Sequence, residues 1–157
     1  MKAAIVYYSQ TGHTDATAKK LAKLTGAELI RIAPKEEYKV KGLGHFLDGG
    51  KATLRKDLPE LMPCQFDAAA YDTVIIGTPA WAAGMAAPVR TFLEAQKEAL
   101  RGKRIALFAG CFVPVGANKA MDKMAELLGA TPVARLVVVD GKEEKADFAG
   151  FAKAVAE

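Results

Sequence analysis

The chain has 157 residues, of which 51% are hydrophobic and 25% are charged. This length suits one domain with its own core, and the composition argues against a disordered chain. The 22 basic and 18 acidic residues give a net charge of +4 and are mixed along the sequence, which does not favour nucleic-acid binding. No apolar run approaches the roughly 20 residues of a membrane span. We therefore expect a single domain over residues 1–157 that binds neither nucleic acid nor membrane.

Cysteine usage indicates the compartment. The two cysteines, Cys64 and Cys111, are distant in the sequence and form neither a metal-spaced pair nor a disulfide framework. The short apolar run near the N-terminus is predicted to be a strand rather than the core of a signal peptide. A reducing cytoplasm is therefore the expected location.

Short apolar strands alternate with amphipathic helices along the chain. The predicted strands cover residues 2–8, 28–33, 72–77, 104–109 and 132–139. The predicted helices cover residues 11–24, 88–100, 118–128 and 145–156. This alternation predicts an α/β protein with a parallel sheet and helices on both of its faces.

Two further predictions concern the start of the third helix and the segment between the second and third strands. The third predicted helix begins with Asn118 as its N-cap and stops at Gly129. Residues 35–63 are predicted to be mostly irregular, with a possible short helix at 52–58. Four glycines interrupt the pattern of this segment: Gly42, Gly44, Gly49 and Gly50.

Three segments follow the carboxyl ends of predicted strands: residues 9–14, 78–87 and 110–117. Ligands of open parallel sheets bind at this edge. The segments contain no Asp, Glu, Lys or Arg, and only His13 and Cys111 among them can ionise. This composition is poorly suited to metal binding or to carboxylate acid–base chemistry. It favours a ligand held by backbone amides, hydroxyls and ring stacking.

The first of these segments has the composition of an anion site. Its hydroxyl groups come from Ser9, Thr11 and Thr14, and Gly12 allows a tight turn before the helix. A helix N-terminus presents unpaired N–H groups and a partial positive charge, which can hold a phosphate without Lys or Arg. The alternative is a capped turn that binds nothing. His13 is interpreted as a polar residue of the first turn whose ring could border the pocket.

The other two segments carry aromatic residues. Trp81, the only tryptophan of the chain, could stack on a planar ring, or it could simply close the edge of the core. Thr78 and nearby amides could bond the edge of such a ring. Phe112 is a candidate second aromatic neighbour. Cys111 is interpreted as an inert small residue, although a helix N-terminus could lower the pKa of its thiol.

Together these motifs resemble the flavodoxin family. The pattern SxTGxT at residues 9–14 resembles the FMN phosphate loop of that family, and GTPxW at residues 77–81 resembles its first flavin-contacting loop, with Trp81 in the stacking position. The resemblance covers nearly the whole chain. It implies a three-layer α/β/α sandwich, with a five-stranded parallel sheet of order 2-1-3-4-5 and FMN between the first and third strands.

The resemblance also implies a role and a set of binding residues. The implied FMN-binding residues are Ser9, Gln10, Thr11, Gly12, His13, Thr14, Thr78, Pro79, Ala80, Trp81, Gly84, Gly110, Cys111 and Phe112. No catalytic residue or metal ligand is implied.

Electron transfer through FMN to redox partner proteins, by a monomer or weak dimer, is the favoured role. An NAD(P)H-dependent quinone reductase or similar flavoenzyme is the alternative, and a fold without cofactor is a third. The chain departs from typical flavodoxins in having a basic balance, His13 where Asn is frequent, and no Asp or Tyr in the third segment. The resemblance therefore does not identify the partner.

Overall fold

The computed structural model describes residues 1–38 and 43–157. The strands are β1 (Ala3–Tyr7), β2 (Glu28–Arg31), β3 (Thr73–Trp81), β4 (Gly84–Met85), β5 (Arg104–Cys111) and β6 (Ala134–Val139). The helices are α1 (His13–Thr25), α2 (Leu43–Leu54), α3 (Ala87–Gln96), α4 (Pro114–Leu128) and α5 (Phe148–Ala156). Among the described residues, none of these helices is long and apolar enough to cross a membrane.

The main sheet has five parallel strands in the order β2-β1-β3-β5-β6, and the two-residue strand β4 pairs antiparallel with the end of β3. Apart from the small sixth strand, this is the predicted strand order. The central strands are continuous apolar runs because helices cover both faces of the sheet. In β3, for example, Val74, Ile75 and Ile76 are all buried.

The core has two parts, one on each face of the sheet. Helices α1 and α5 pack on one face, where Leu21 and Phe151 join a cluster with Ile5. Helices α3 and α4 pack on the other face, where Val89 and Met121 belong to a separate cluster. Alternate residues of the strands supply the two clusters, since successive side chains of a strand point to opposite faces. The predicted three-layer α/β/α sandwich is confirmed.

The prediction for the start of α4 is wrong. Its N-cap is Val113 and its first residue is Pro114, four positions before the predicted cap, Asn118. Proline suits the first turn of a helix because the N–H that it lacks has no partner there. Asn118 lies inside the helix and its side-chain amide donates to the carbonyl of Pro114. Gly129 ends the helix in a left-handed conformation, as predicted.

The segment 78–87 is not a simple loop. Strand β3 continues to Trp81, and the chain turns back through Ala82 and Ala83 into β4. Strand β5 likewise continues to Cys111, so only residues 112–113 separate it from α4. Both strands were predicted to end early because Pro79 near the end of β3 and Gly110 near the end of β5 are residue types typical of loops.

The prediction for residues 35–63 is also wrong in part. A helix occupies Leu43–Leu54 rather than 52–58. It contains three of the four glycines that were expected to interrupt regular structure, and the fourth, Gly42, lies outside the described residues. Tertiary contact overrides the low helix propensity of glycine here, because Gly49 lies against the ring of Trp81. The remaining predicted elements are present, with ends that differ by a few residues.

Candidate functional site

A cavity of about 470 Å³ opens at the carboxyl edge of the sheet. This volume is within the range of small-molecule and cofactor sites. The lining residues come from the segment after β1, the ends of β3 and β5, the residue after β6, and α2. They are Gln10, Thr11, His13, Thr14, Gly49, Gly50, Pro79, Ala80, Trp81, Ala82, Gly110, Cys111, Phe112 and Asp140. Ten of the predicted site residues are therefore brought together around one cavity.

The other four predicted residues support the cavity without lining it. Ser9 is 1% exposed, and its hydroxyl oxygen accepts hydrogen bonds from the N–H groups of Gly12 at 3.2 Å and Asp15 at 3.1 Å. Gly12 has φ 101°, a left-handed conformation that favours glycine. Both residues therefore shape the turn that carries Thr11 and Thr14 to the cavity.

The remaining pair belongs to the hairpin that joins β3 and β4. The hydroxyl of Thr78 donates to the carbonyl of Pro79 at 2.8 Å and accepts from the N–H of Ala86 at 2.9 Å. Its bonds therefore hold the hairpin together. Gly84 lies against Thr53, where an added Cβ would be 2.6 Å from the Thr53 methyl group. This close approach requires glycine.

Trp81 forms the aromatic wall of the cavity. Its ring meets Tyr8 and Tyr38 edge to face, with centroid distances of 5.6 and 5.2 Å. A Cβ on Gly49 would lie 3.0 Å from the same ring, so α2 approaches the indole as closely as a glycine allows. These contacts fix the position of an aromatic surface beside the cavity, whereas Phe112, which also lines the cavity, is 68% exposed.

The thiol of Cys111 has no sign of activation. It is buried, and its sulfur lies 3.8 Å from the carbonyl oxygen of Val138. Burial, followed by the nearby Asp140 carboxylate, raises the pKa of this thiol, and a hydrogen bond from the Ala117 backbone opposes the rise only in part. The thiol is therefore protonated at neutral pH, which favours its interpretation as an inert lining residue.

One acidic residue of the described chain lines the cavity, and the sequence analysis missed it. Asp140 directly follows β6, and one of its carboxylate oxygens lies 3.7 Å from Nδ1 of His13. Burial raises the pKa of this carboxyl group, and His13 acts in the opposite direction. The three segments of the sequence analysis supply no carboxylate to the cavity, but the residue after β6 supplies one. The same rule that selected the other segments could have found Asp140, since it follows a predicted strand.

His13 and Asp140 also lie near Glu143, and single ligand atoms of the three residues are within 4.8 Å of one another. Glu143 already accepts a hydrogen bond from the N–H of Gly141 at 2.9 Å, and His13 faces Asp140. These groups thus have protein partners, and we assign no metal to them.

Similarity to known proteins shows the family of this chain. The model of the protein family described as flavodoxin matches residues 2–145. The chain belongs to the flavodoxin family. The search of curated protein sequences gives no match.

Solved structures share the fold of this flavodoxin-family protein. A putative flavoprotein from Bacteroides eggerthii has a TM-score of 0.81 at 22% identity, with 99% of this chain and 98% of that chain covered. A flavoprotein from Lactobacillus acidophilus in complex with FMN has a TM-score of 0.73 at 23% identity, with 92% and 97% covered. The two-electron reduced flavodoxin of Megasphaera elsdenii has a TM-score of 0.58 at 24% identity, with 99% and 96% covered.

Proposed function

We propose that this flavodoxin-family protein binds FMN in the cavity and transfers electrons between redox partner proteins. The observation that carries the proposal is the meeting of a helix N-terminus and an aromatic wall around one space of about 470 Å³. These are the two features that a phosphorylated, planar ligand requires. FMN, when bound, accepts and releases electrons, and the protein supplies binding and electrostatics. The similar Lactobacillus acidophilus flavoprotein was solved with FMN.

The phosphate end of the proposed site is the 9–14 loop. Gln10, Thr11, His13 and Thr14 line the cavity there, and α1 begins at His13. The first N–H groups of a helix have no partner within the helix, and its dipole favours an anion. We therefore assign the phosphate to this loop, with the Thr11 and Thr14 hydroxyls as further donors.

The ring end of the proposed site lies between Trp81 and Phe112. Pro79 and Ala80 provide apolar surface beside Trp81, and Gly110 and Cys111 provide it beside Phe112. Aromatic and apolar walls of this kind bury a planar ring and exclude water from it.

An exposed apolar rim beside the cavity supports the role of a carrier. Phe112, Val113 and Val115 lie next to one another in the chain, and each is more than half exposed. Exposed apolar groups beside a binding site favour contact with a protein partner. A carrier must keep such a rim open to successive partners, so we propose a monomer or weak dimer. Both cysteines are free thiols, and we place the protein in the cytoplasm, where thiols stay reduced.

The decisive experiment is the visible absorption spectrum of the purified protein, followed by release and identification of any flavin. We expect a yellow protein that releases FMN, or a colourless apoprotein that turns yellow when FMN is added. A colourless protein that does not bind added FMN would sink the proposal and would support a fold that has no cofactor.

A second assay separates the carrier from the flavoenzyme. The FMN-loaded protein is mixed with NADH or NADPH and a quinone, and nucleotide oxidation is followed with and without an added flavin reductase. A carrier turns over only when the reductase is present. Rapid oxidation by the protein alone would replace our proposal with the NAD(P)H-dependent quinone reductase.

A further inference from the structure

A cation from the neighbouring strand anchors the 9–14 loop, which has no Lys or Arg of its own. Arg31 is the last residue of β2 and pairs in register with Tyr7, the last residue of β1. From there, Nη2 of Arg31 donates a hydrogen bond of 2.8 Å to the carbonyl oxygen of Ser9. The guanidinium therefore extends past the end of β1 and bonds the first peptide of the loop.

Ser9 is consequently held from two directions. Its carbonyl accepts from Arg31, and its hydroxyl accepts from the N–H groups of Gly12 and Asp15. A trans peptide is planar, and its carbonyl and N–H point to opposite sides. The bond to Arg31 thus sets the plane of the first peptide, while the Ser9 hydroxyl sets the turn that follows it.

Two cations lie close to the loop and to its nearest carboxylate, Asp15. The carboxylate of Asp15 pairs with Lys19 at 2.7 Å and accepts a hydrogen bond from the Tyr7 hydroxyl at 2.6 Å. The bond to Lys19 and then the bond to Tyr7 lower the pKa of Asp15, and the Arg31 charge adds to this effect. Two cations, Lys19 and Arg31, therefore accompany Asp15 at the loop, and the second carboxylate near it, Asp140, faces His13.

We propose that Arg31 is the positioning residue of the phosphate end, where it holds the 9–14 loop in its binding conformation and makes the cavity prefer a phosphorylated flavin to the unphosphorylated ring. The proposal rests on the proposed function. Arg31 does not line the cavity, so it acts through Ser9 and through its charge rather than by direct contact with the ring end.

The test compares FMN with riboflavin, which has the same ring and no phosphate. Arg31→Met keeps an apolar stem and removes both the charge and the donor. We expect the dissociation constant of FMN from the apoprotein to rise about tenfold, the size of a lost charge-assisted hydrogen bond. The constant for riboflavin should change less than about twofold, because the ring end is untouched. Arg31→Lys keeps the charge and should recover part of the FMN affinity.

Arg104→Met is the matched control. Arg104 also donates to backbone carbonyls, those of Val155 at 3.1 Å and Ala154 at 3.2 Å. It is the first residue of β5 and lies at the amino end of the strands, whereas the cavity is at their carboxyl end. Its loss removes the same charge and a similar kind of bond. The ratio of the FMN and riboflavin constants should therefore stay at the wild-type value.

Three outcomes would overturn the proposal. The first is an equal loss of FMN and riboflavin affinity in Arg31→Met, and the second is an unchanged ratio with only a lower free energy of unfolding. Either of these leaves FMN binding by the wild-type protein intact, so the proposed function survives. The third is a wild-type protein that does not bind FMN, which removes both proposals together.

Discussion

The two ends of the cavity are built in different ways. The 9–14 loop is held largely by bonds between close neighbours in the chain, since the Ser9 hydroxyl reaches Gly12 and Asp15. The hairpin that carries Trp81 is held by residues far away in the sequence. Lys123 donates to the carbonyl of Ala83 at 3.1 Å, across 40 positions.

More distant contacts complete the hairpin wall. The Thr53 hydroxyl donates to the carbonyl of Met85 at 3.2 Å, across 32 positions. The turn itself is strained, because Ala82 and Ala83 have φ values of 48° and 55°, where residues with a Cβ are disfavoured. The comparison teaches that the turn of the loop is specified by neighbours in the chain, whereas the hairpin is held by hydrogen bonds from α2 and α4.

The largest expected effect is at the hairpin end. Trp81→Ala removes the aromatic wall and should weaken FMN binding by about 1–3 kcal/mol, by analogy with other ring stacking on aromatic side chains. Fluorescence titration of the apoprotein with FMN measures the change. Trp81→Phe retains a ring and should lose much less. Unchanged affinity in Trp81→Ala would take this residue out of the site.

The next effect is at the loop end. Ser9→Ala leaves two backbone N–H groups without their acceptor and should lower the free energy of unfolding by about 1 kcal/mol, as for other lost capping residues. Urea unfolding of the apoprotein gives this value. Thr11→Ala, on the exposed part of the same loop, is the control and should change stability by less than about 0.5 kcal/mol. Equal effects of the two substitutions would contradict the role given to Ser9.

Two adjacent glycines test how α2 supports Trp81. A Cβ on Gly49 would lie 3.0 Å from the Trp81 ring, whereas a Cβ on Gly50 would meet the Ala82 methyl group at an ordinary 3.9 Å. Gly50→Ala should stabilise the protein by about 0.5–1 kcal/mol, the usual gain of alanine over glycine in a helix.

Gly49→Ala should lose most of that gain, because the indole must move. Trp81 is the only tryptophan, so the fluorescence emission reports its position directly. We expect a shifted emission maximum for Gly49→Ala and none for Gly50→Ala. Identical spectra for the two variants would show that α2 does not set the position of the ring.

The smallest effect concerns Asp140 and pH. Burial raises the pKa of this carboxyl group in the folded protein, so its ionised form opposes folding. Its favourable contribution exists at acidic pH and is lost as the pH rises through the folded pKa. Asp140→Asn should therefore be more stable than the wild type at pH 7, by a few tenths of a kcal/mol for a partly exposed group. The difference should shrink as the pH falls towards 4.

The contribution of Glu143 to stability is expected to change with pH in the opposite direction. Backbone hydrogen bonds lower the pKa of its carboxyl group, so its contribution to stability is present above the unfolded pKa and is lost in acid. Glu143→Gln should not stabilise the protein at pH 7. Urea unfolding of both variants at pH 7 and pH 4 checks the two signs. A stability gain for Asp140→Asn that is equal at both pH values would reject the account of its burial.

Most of the fold follows from the sequence, because apolar periodicity is a local property. The alternation of strands and helices and the stop at Gly129 were predicted from local patterns, whereas the strand order of the main sheet was implied by the resemblance to flavodoxins. The start of α4 was not predicted, since the small and apolar residues after Cys111 were taken as a loop. The glycines of α2 were also misjudged, because helix propensity does not include the space that Trp81 requires.

The site likewise combines features that the sequence predicted with contacts that only the fold creates. The sequence by itself determined the 9–14 loop and the presence of Trp81 near the same edge of the sheet, since these depend on short spacings and on where strands end. Only the tertiary structure decided that Gly49 would face Trp81, that Asp140 would face His13 and that Arg31 would bond Ser9. The physical reason is that each of these contacts joins different elements of the fold, so no local pattern encodes it and packing must bring the partners together.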